Sequence, residues 1–251
     1  MFSPSGKYEA CGIFNTTHFI ALAICLILVV LAVYFSRKIT IEKFNLFIKI
    51  SAILITILEL IKICFNLYYD KHAPINNWLP FHFCSLFIYN LWLTGYCKGH
   101  LKKIGESFLI GGGIIAGLTF LIIPSTSLRL FPIFHFQCLY SLLFHSLFLY
   151  FGIVILIRNF FVLNIKNYIY YIIFTTTFCV IAYILNITTD ANFMFLDNPW
   201  GIPLEFLSTI HSKYPLLYSI IIYIAYVVGT FFPVMFIQKI IIHFRKGDNY
   251  A

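Results

Sequence analysis

Charge is what this sequence has least of. Only 10% of its 251 residues are Asp, Glu, Lys or Arg, against about 25% in a soluble domain. That scarcity leaves essentially no room for a separate soluble domain. The seven cysteines stand singly, with no CxxC pair and no Cys/His set at zinc spacing, so most of them read as small apolar packing residues. No GxxxxGK followed by Ser or Thr occurs, and no GxGxxG in a strand–helix context, which removes the usual nucleotide and flavin cradles. No metal and no cofactor is expected. The net charge of +8 lies in short loops, a pattern of membrane topology and not of nucleic-acid binding. Residues 1–16 carry no basic n-region, and no small-residue cleavage signal follows the first apolar run. That run reads as a retained helix, not a cleaved signal peptide.

What is present is apolar: 61% hydrophobic and 20% aromatic residues, with a mean hydropathy of +0.92. The fold class implied is all-α, a polytopic membrane protein in the cell membrane. A span needs about 20 apolar residues. Seven candidates appear, at about 17–36, 45–68, 79–97, 105–123, 133–157, 168–189 and 215–243, forming one transmembrane domain over 1–251. The breaks are local: Arg37-Lys38, Asp70 to Pro74, Lys98-Gly99-His100, Pro124-Ser125-Thr126 and Arg158-Asn159, with a longer segment at about 190–214 holding Pro199, Gly201 and Pro203. The segments after odd-numbered helices carry eleven basic residues: Arg37, Lys38, Lys43, Lys98, Lys102, Lys103, Arg158, Lys166, Lys239, Arg245 and Lys246. The other segments carry four, Lys7, Lys71, Arg129 and Lys213. The positive-inside rule then predicts the N-terminus outside and the C-terminus cytoplasmic. An odd count of spans without internal repeat argues against two inverted transporter halves.

Ionisable residues within spans are costly and mark functional candidates. Glu59 and Lys62 lie i,i+3 on one face of the second span, roughly 14 and 9 Å from its outer end. They form either a structural ion pair or the lining of a polar cavity in which Glu59 orients a histidine. His82 and Cys84 follow Pro80, which can open a helix. On a regular helix they point about 160° apart, so each needs a partner from elsewhere. His135 sits near the outer end of the fifth span and His145 near its middle, where a general base or proton relay and a satisfied structural histidine are both open. Gly113 and Gly117 have the spacing of close helix packing. Asn186 lies at the outer level of His82, as a donor to it or to a carbonyl, or as helix-end chemistry. Asn192 precedes Phe193-Met194-Phe195-Leu196, a run that fits a re-entrant or interfacial lid. Glu59, Lys62, His82, Cys84, His145, Asn186 and Asn192 all fall in the outer or middle part, and the inner half is expected to hold no comparable set. That pattern predicts an outward-opening polar pocket.

Glu59-x-x-Lys62, Leu79-Pro80-Phe81-His82-Phe83-Cys84-Ser85-Leu86, the glycine-rich fourth span ending in Pro124, His145, and Asn192-Phe193-Met194-Phe195-Leu196 resemble the YwaF-like family of bacterial integral membrane proteins over about 45–240. Abundant Lys, Ile, Asn, Phe and Tyr fit an AT-rich bacterial genome. That family is distantly similar to a eukaryotic acyltransferase that builds ether phospholipids, and to membrane hydrolases acting on fatty esters. The resemblance implies a thiol or hydroxyl nucleophile attacking a lipid ester, with histidine as base. Candidate catalytic residues are then His82, Cys84 and His145, and candidate substrate-binding residues Glu59, Lys62, Asn186 and Asn192. In the eukaryotic enzyme the Cys immediately precedes the His. Here Phe81 does, so the resemblance carries to His82 and His145 more fully than to Cys84. The implied partners are membrane lipids and a small-molecule or lipid substrate. The other reading is non-enzymatic: a ligand-binding or transport protein using the same pocket, with Glu59 and Lys62 as a charge-coupling pair. A lysine is missing from the middle of the last span, which argues against a retinal Schiff base.

Overall fold

The computed structural model describes residues 2–69, 75, 78–124, 126–200 and 202–247. Among the described residues all regular structure is helical. In chain order the α-helices are α1 (Thr16–Phe35), α2 (Ile41–Tyr69), α3 (Leu86–Tyr96), α4 (Gly99–Gly111), α5 (Gly113–Ile122), α6 (Ser127–Leu130), α7 (Phe136–Arg158), α8 (Ile165–Thr188), α9 (Glu205–Lys213), α10 (Pro215–Ile224) and α11 (Phe231–Gly247). Among the described residues five segments are long and apolar enough to cross a membrane: Thr16–Lys38, Gly99–Leu130, Phe136–Arg158, Ile165–Thr188 and Pro215–Arg245.

The helix ends have local causes. Asn15 caps α1 by accepting the His18 N–H at 2.9 Å. Asn164 caps α8 in the same way through Asn167. His135 caps α7, its Nδ1 accepting the Gln137 N–H at 3.1 Å. Such side-chain acceptors replace a missing intrahelical partner. Asn159 ends α7 in the left-handed region, φ 52°. Pro215 opens α10, where its absent N–H is not needed. Pro233 lies inside α11 and has no N–H to donate to the Gly229 carbonyl, against which its ring clashes. The chain relieves that clash with a π-turn at Ala225–Gly229.

Three expected spans come out differently. The segment at 45–68 lies in the 29-residue α2, which is not among the five. The segment at 79–97 contains only the 11-residue α3, about 16 Å long and short of the ~30 Å hydrocarbon core. Its first seven residues are not helical. The segment at 105–123 begins earlier, at Gly99, and breaks at Gly112 into α4 and α5. Asp70 to Pro74 with Lys71, Asn77, Ser125, Gly201 and the Lys246 side chain lie outside the described residues.

Packing is centred on α7. Two thirds of its apolar window is buried (67%), against 17% for α1, 22% for α8 and 28% for α10–α11. The peripheral helices therefore show most of their apolar side chains to the surroundings, as lipid-facing helices do. Glycines let α5 lie directly on α7. A Cβ on Gly117 would stand 2.9 Å from the His145 carbonyl oxygen and from the Leu149 nitrogen, and one on Gly113 would stand 2.8 Å from the Phe148 ring. Small residues at such crossings let backbones approach. The Gly113/Gly117 pair thus serves packing.

Hydrogen bonds tie the two ends of the bundle separately. At one end Cys11 and Gly12 donate to the Phe131 and Leu128 carbonyls at 2.9 and 2.8 Å. At the other, Ser36 and Tyr150 share a hydrogen bond of 2.7 Å, and Arg158 donates to the Arg37 carbonyl at 2.9 Å. Gln238 there bonds the backbone of Phe161 and Leu163, both at 2.8 Å. Arg37, Lys38, Lys98, Arg158 and Lys166 all lie next to this second, basic end.

Gly117→Ala is expected to destabilise the protein by about 1–3 kcal/mol, because its methyl group meets backbone atoms that cannot rotate away. The thermal midpoint in lipid nanodiscs checks this. An unchanged midpoint would mean that α5 can shift off α7 freely.

Candidate functional site

Pro80 supplies no N–H, and the residues after it do not enter an α-helix at once. Phe81 donates to the Leu79 carbonyl at 3.0 Å, and Leu86, Phe87 and Ile88 donate to Phe83, Cys84 and Ser85 at 3.0–3.2 Å. The first is an i to i−2 turn and the other three are i to i−3 turns. His82 and Cys84 therefore sit on an unwound approach to α3, not on opposite faces of one helix as its sequence pattern predicted. Both are half-buried. The His82 ring lies between Phe193 and Phe195, at 5.6 and 5.8 Å between centroids. Its Nδ1 accepts the Met194 N–H at 3.3 Å. Phe83 stacks on Tyr226 at 4.3 Å, and Tyr226 is within electrostatic reach of both Cys84 and Cys179.

The segment holding Phe193–Phe195 is a loop folded back into the bundle. Met194 and Phe195 both have left-handed backbone, φ 55° and 53°, which costs roughly 1–2 kcal/mol for each non-glycine residue. Buried side chains hold it there. Asn186 accepts the Phe193 N–H at 2.7 Å and donates to the Phe193 carbonyl at 3.1 Å. Tyr226 donates to Met194 at 2.9 Å, Tyr218 to Phe195 at 2.7 Å and Ser219 to Leu196 at 2.6 Å. Asn192 closes the turn, accepting the N–H groups of Asp197 and Asn198 at 3.2 Å and donating to the Asn198 carbonyl at 2.9 Å. At about 0.5–1.5 kcal/mol net for each bond, this set outweighs the strain. Asn186 thus grips a loop and does not merely finish α8.

A second polar group lies in the seam between α2 and α7. Lys62 Nζ stands 2.6 Å from Glu59 Oε1, and the Tyr140 hydroxyl donates to Glu59 Oε2 at 2.6 Å. Gln137 donates to Asn66 at 2.7 Å. Glu59, Lys62 and Asn66 are spaced i, i+3, i+7, so one stripe of α2 meets one stripe of α7. Glu59 was expected to orient a histidine. Its partners are Lys62 and Tyr140 instead, because the facing position on α7 at that depth is a tyrosine. His145 lies further along α7, 6% exposed, with its ring stacked on Phe120 at 3.5 Å. Its Nδ1 is 2.7 Å from the Ser141 carbonyl oxygen. A carbonyl only accepts, so Nδ1 carries the proton and the neutral ring keeps a lone pair on Nε2. Among the described residues that Nε2 has no hydrogen-bond partner. Lys62 is within electrostatic reach of it.

The expected residues thus gather in two groups. His82, Cys84, Asn186 and Asn192 surround or form the loop. Glu59, Lys62 and His145 follow the α2–α7 seam. Aromatic rings lie between: Phe81 packs on Phe193 and Phe178 at 5.9 and 6.0 Å, and Tyr89 packs on Phe178 at 5.3 Å while lying within electrostatic reach of Glu59. Tyr140, Tyr218, Ser219 and Tyr226 were missed, because a tyrosine or serine in an apolar helix carries no spacing signal of its own.

The expectation of an inner half free of polar residues does not hold. At the basic end Asn45, Thr94 and Glu106 line a narrow cleft of about 10 Å³. Thr94 Oγ1 there, and Asn90 Oδ1 one turn earlier on α3, are buried without a hydrogen-bond partner among the described residues. Each residue lies on a different segment or a different turn, so no sequence window contains the group. The open groove of about 540 Å³ is apolar and lies elsewhere, on the last turns of α2, lined by Phe2, Ile57, Leu60, Ile61, Cys64, Phe65, Tyr68 and Tyr69. None of the expected site residues lines it. Among the described residues no three His, Cys, Asp or Glu side chains are grouped as metal ligands.

A family model described as the TMEM164 family matches residues 13–238. No curated protein and no solved structure matches the chain. The match bears out the expectation of a multi-pass membrane protein seated in lipid.

Asn186→Leu removes both bonds to Phe193 and leaves its buried N–H unpaired, at about 1–3 kcal/mol, while the carbonyl keeps the Leu196 N–H at 3.2 Å. Amide hydrogen exchange at residues 193–196 is expected to quicken at least tenfold, with little change in α7. Exchange unchanged in the loop would mean that Asn186 does not hold it.

Proposed function

Because the chain belongs to the TMEM164 family, we propose that it is a seven-crossing protein of the cell membrane that transfers or hydrolyses fatty acyl groups of lipid esters. In this reading the N-terminus is outside, the C-terminus is cytoplasmic, and the short α3 completes a third crossing together with the unwound residues before it. The likeness to YwaF-like bacterial proteins and to an ether-phospholipid acyltransferase belongs to the same reading.

The observation that carries it is His145. A buried histidine whose Nδ1–H is fixed on a carbonyl and whose Nε2 lone pair is bare has the tautomer a general base requires. The nucleophile is the thiol of Cys84, which stands with His82 in the loop group, so this reading requires substrate binding to bring the loop group and the seam group of His145 together. The thiol proton passes to the histidine, the thiolate sulfur bonds to the ester carbonyl carbon, and the carbon–oxygen bond to the glycerol or fatty alcohol breaks as that oxygen regains the proton. The resulting acyl thioester is released by a second hydroxyl or by water, which restores the thiol. Glu59 and Lys62 neutralise one another at membrane depth and keep the seam polar. Asn186 and Asn192 act on the loop beside His82. The aromatic and aliphatic surroundings suit acyl chains.

The decisive experiment is lipid turnover by the purified protein in nanodiscs, together with mass-spectrometric mapping of acyl-thioester and iodoacetamide probes. His145→Ala is expected to lower turnover by about 10²-fold or more. Probe labelling should fall on Cys84 and depend on the histidine. Full turnover in both His82→Ala and His145→Ala would sink the proposal.

One observation favours ligand binding or transport as a second reading. Polar groups occur at three levels, around Asn186, around Glu59, and around Glu106 at the basic end. A solute flux across proteoliposomes that Glu59→Gln abolishes would move the assignment there.

A further inference from the structure

Two of the seven thiols converge on one carbonyl. The short α6 ends at Leu130, and the carbonyls of Leu128 and Phe131 find their partners outside it. The N-terminal segment supplies them. Cys11 donates its N–H to the Phe131 carbonyl at 2.9 Å, and Gly12 donates to Leu128 at 2.8 Å. The same Phe131 oxygen lies 3.4 Å from the thiol of Cys138, in the first turn of α7, and the Ser127 carbonyl oxygen lies 3.4 Å from it as well. Two donors on one oxygen are near neighbours. The Cys11 side chain packs inward on the buried core. Its thiol and that of Cys138 are within electrostatic reach of one another. Both are free thiols in this structure, Cys138 buried and Cys11 half-buried.

The backbone on both sides of the gap is already fixed. Phe131 holds the Cys11 N–H, and the side-chain amide of Asn15, which also caps α1, donates to the Cys11 carbonyl. Cys138 is held by the helix it belongs to. A disulfide needs α-carbons about 4–7 Å apart, a spacing open to two residues bonded to one carbonyl oxygen. The chain before Cys11 is a strap across this end of the bundle. The Ser3 backbone lies within hydrogen-bond distance of His135 Nε2. Phe2 stacks on Phe136 at 5.0 Å and packs on Phe65 at 6.0 Å. There it forms one wall of the open apolar groove on α2.

We propose that Cys11 and Cys138 are a disulfide-forming pair that locks the N-terminal strap, and with it Phe2, onto the head of α7. The oxidant is a small-molecule disulfide. The Cys11 thiol gives its proton to solvent, its sulfur bonds to one sulfur of the oxidant, and the other leaves as a thiolate that takes up a proton. The Cys138 thiol then loses its proton, its sulfur bonds to that of Cys11, and the second small thiol leaves. Two protein thiols and one small disulfide become one protein disulfide and two small thiols. With the N-terminus outside, as proposed above, this end faces a compartment in which disulfides persist. A Cys11–Cys138 bridge closes a long loop, the kind that most restricts the unfolded chain. The pairing does not depend on the acyl-transfer reading.

Thiol mapping of the purified full-length protein in nanodiscs tests this. The protein is incubated with oxidised glutathione at about pH 8.5, near the ordinary cysteine range. Free thiols are then alkylated with iodoacetamide, and the protein is digested without reduction for mass spectrometry. The Cys11 and Cys138 peptides are expected as one cross-linked pair in most molecules, two hydrogens lighter than the separate peptides and parted by dithiothreitol. Cys11→Ser should leave Cys138 a free thiol. Glutathione held on Cys11 beside a free Cys138, Cys11 joined to another cysteine, or both thiols still free overturns the pairing. Amide hydrogen exchange at residues 2–14 then tests the lock. It is expected to be at least tenfold slower in the bridged protein than after reduction, and equal exchange in the two overturns the lock on the strap. Wild type carries both decisive measurements, so neither waits on a variant that folds.

Discussion

In hydrocarbon a backbone amide without a partner cannot turn to water, and most of this structure follows from that constraint. Long helices satisfy it within themselves. The places where the helices fail are therefore the places that show design. The chain unwinds before α3, folds back at 192–198 and loosens into a π-turn ahead of Pro233, and all three departures come together around Tyr226. Its ring stacks on Phe83 from the unwound approach. Its hydroxyl bonds the Met194 carbonyl of the loop. Its own carbonyl takes the hydroxyls of Tyr171 and Thr230 at 2.9 and 2.6 Å. The irregular segments satisfy one another, and the histidine and thiol of the candidate site stand in the result.

The second organising feature is the closeness of α5 to α7. Only glycine lets the two backbones meet at Gly117, and that contact fixes the height at which Phe120 stacks on His145. A buried neutral histidine with a bare Nε2 is costly to maintain. Function and packing here rest on the same few residues, which explains why a glycine pair can be read as structural and still govern the chemistry beside it.

Much was legible before any coordinates. The alternation of basic segments anticipated which helix ends lie together, because loop charge and helix length are both local properties. Glu59 and Lys62 could be paired from their spacing, since i,i+3 neighbours touch on any α-helix. The Phe193–Leu196 run stood out because four apolar residues between Asn192 and Asp197 fit neither a span nor an exposed loop. By contrast, the turn around His82 was hidden. Its residues are apolar enough to continue a helix, and only Pro80 hinted at the break. The Tyr140 bond to Glu59, the basic-end group of Asn45, Thr94 and Glu106, and the Met194 amide at His82 depend on groups from separate segments.

The sequence by itself determined the solvent, the helical class and the position of most helix ends, because hydropathy, caps, prolines and glycines act within a few residues of where they stand. The tertiary structure alone decided which polar side chains meet and which backbone group faces His82. At His82 that outcome turns on the direction of a single hydrogen bond, from the Met194 amide to Nδ1. A backbone group's direction at such a point is set by everything packed around it, and no local pattern of residues records it.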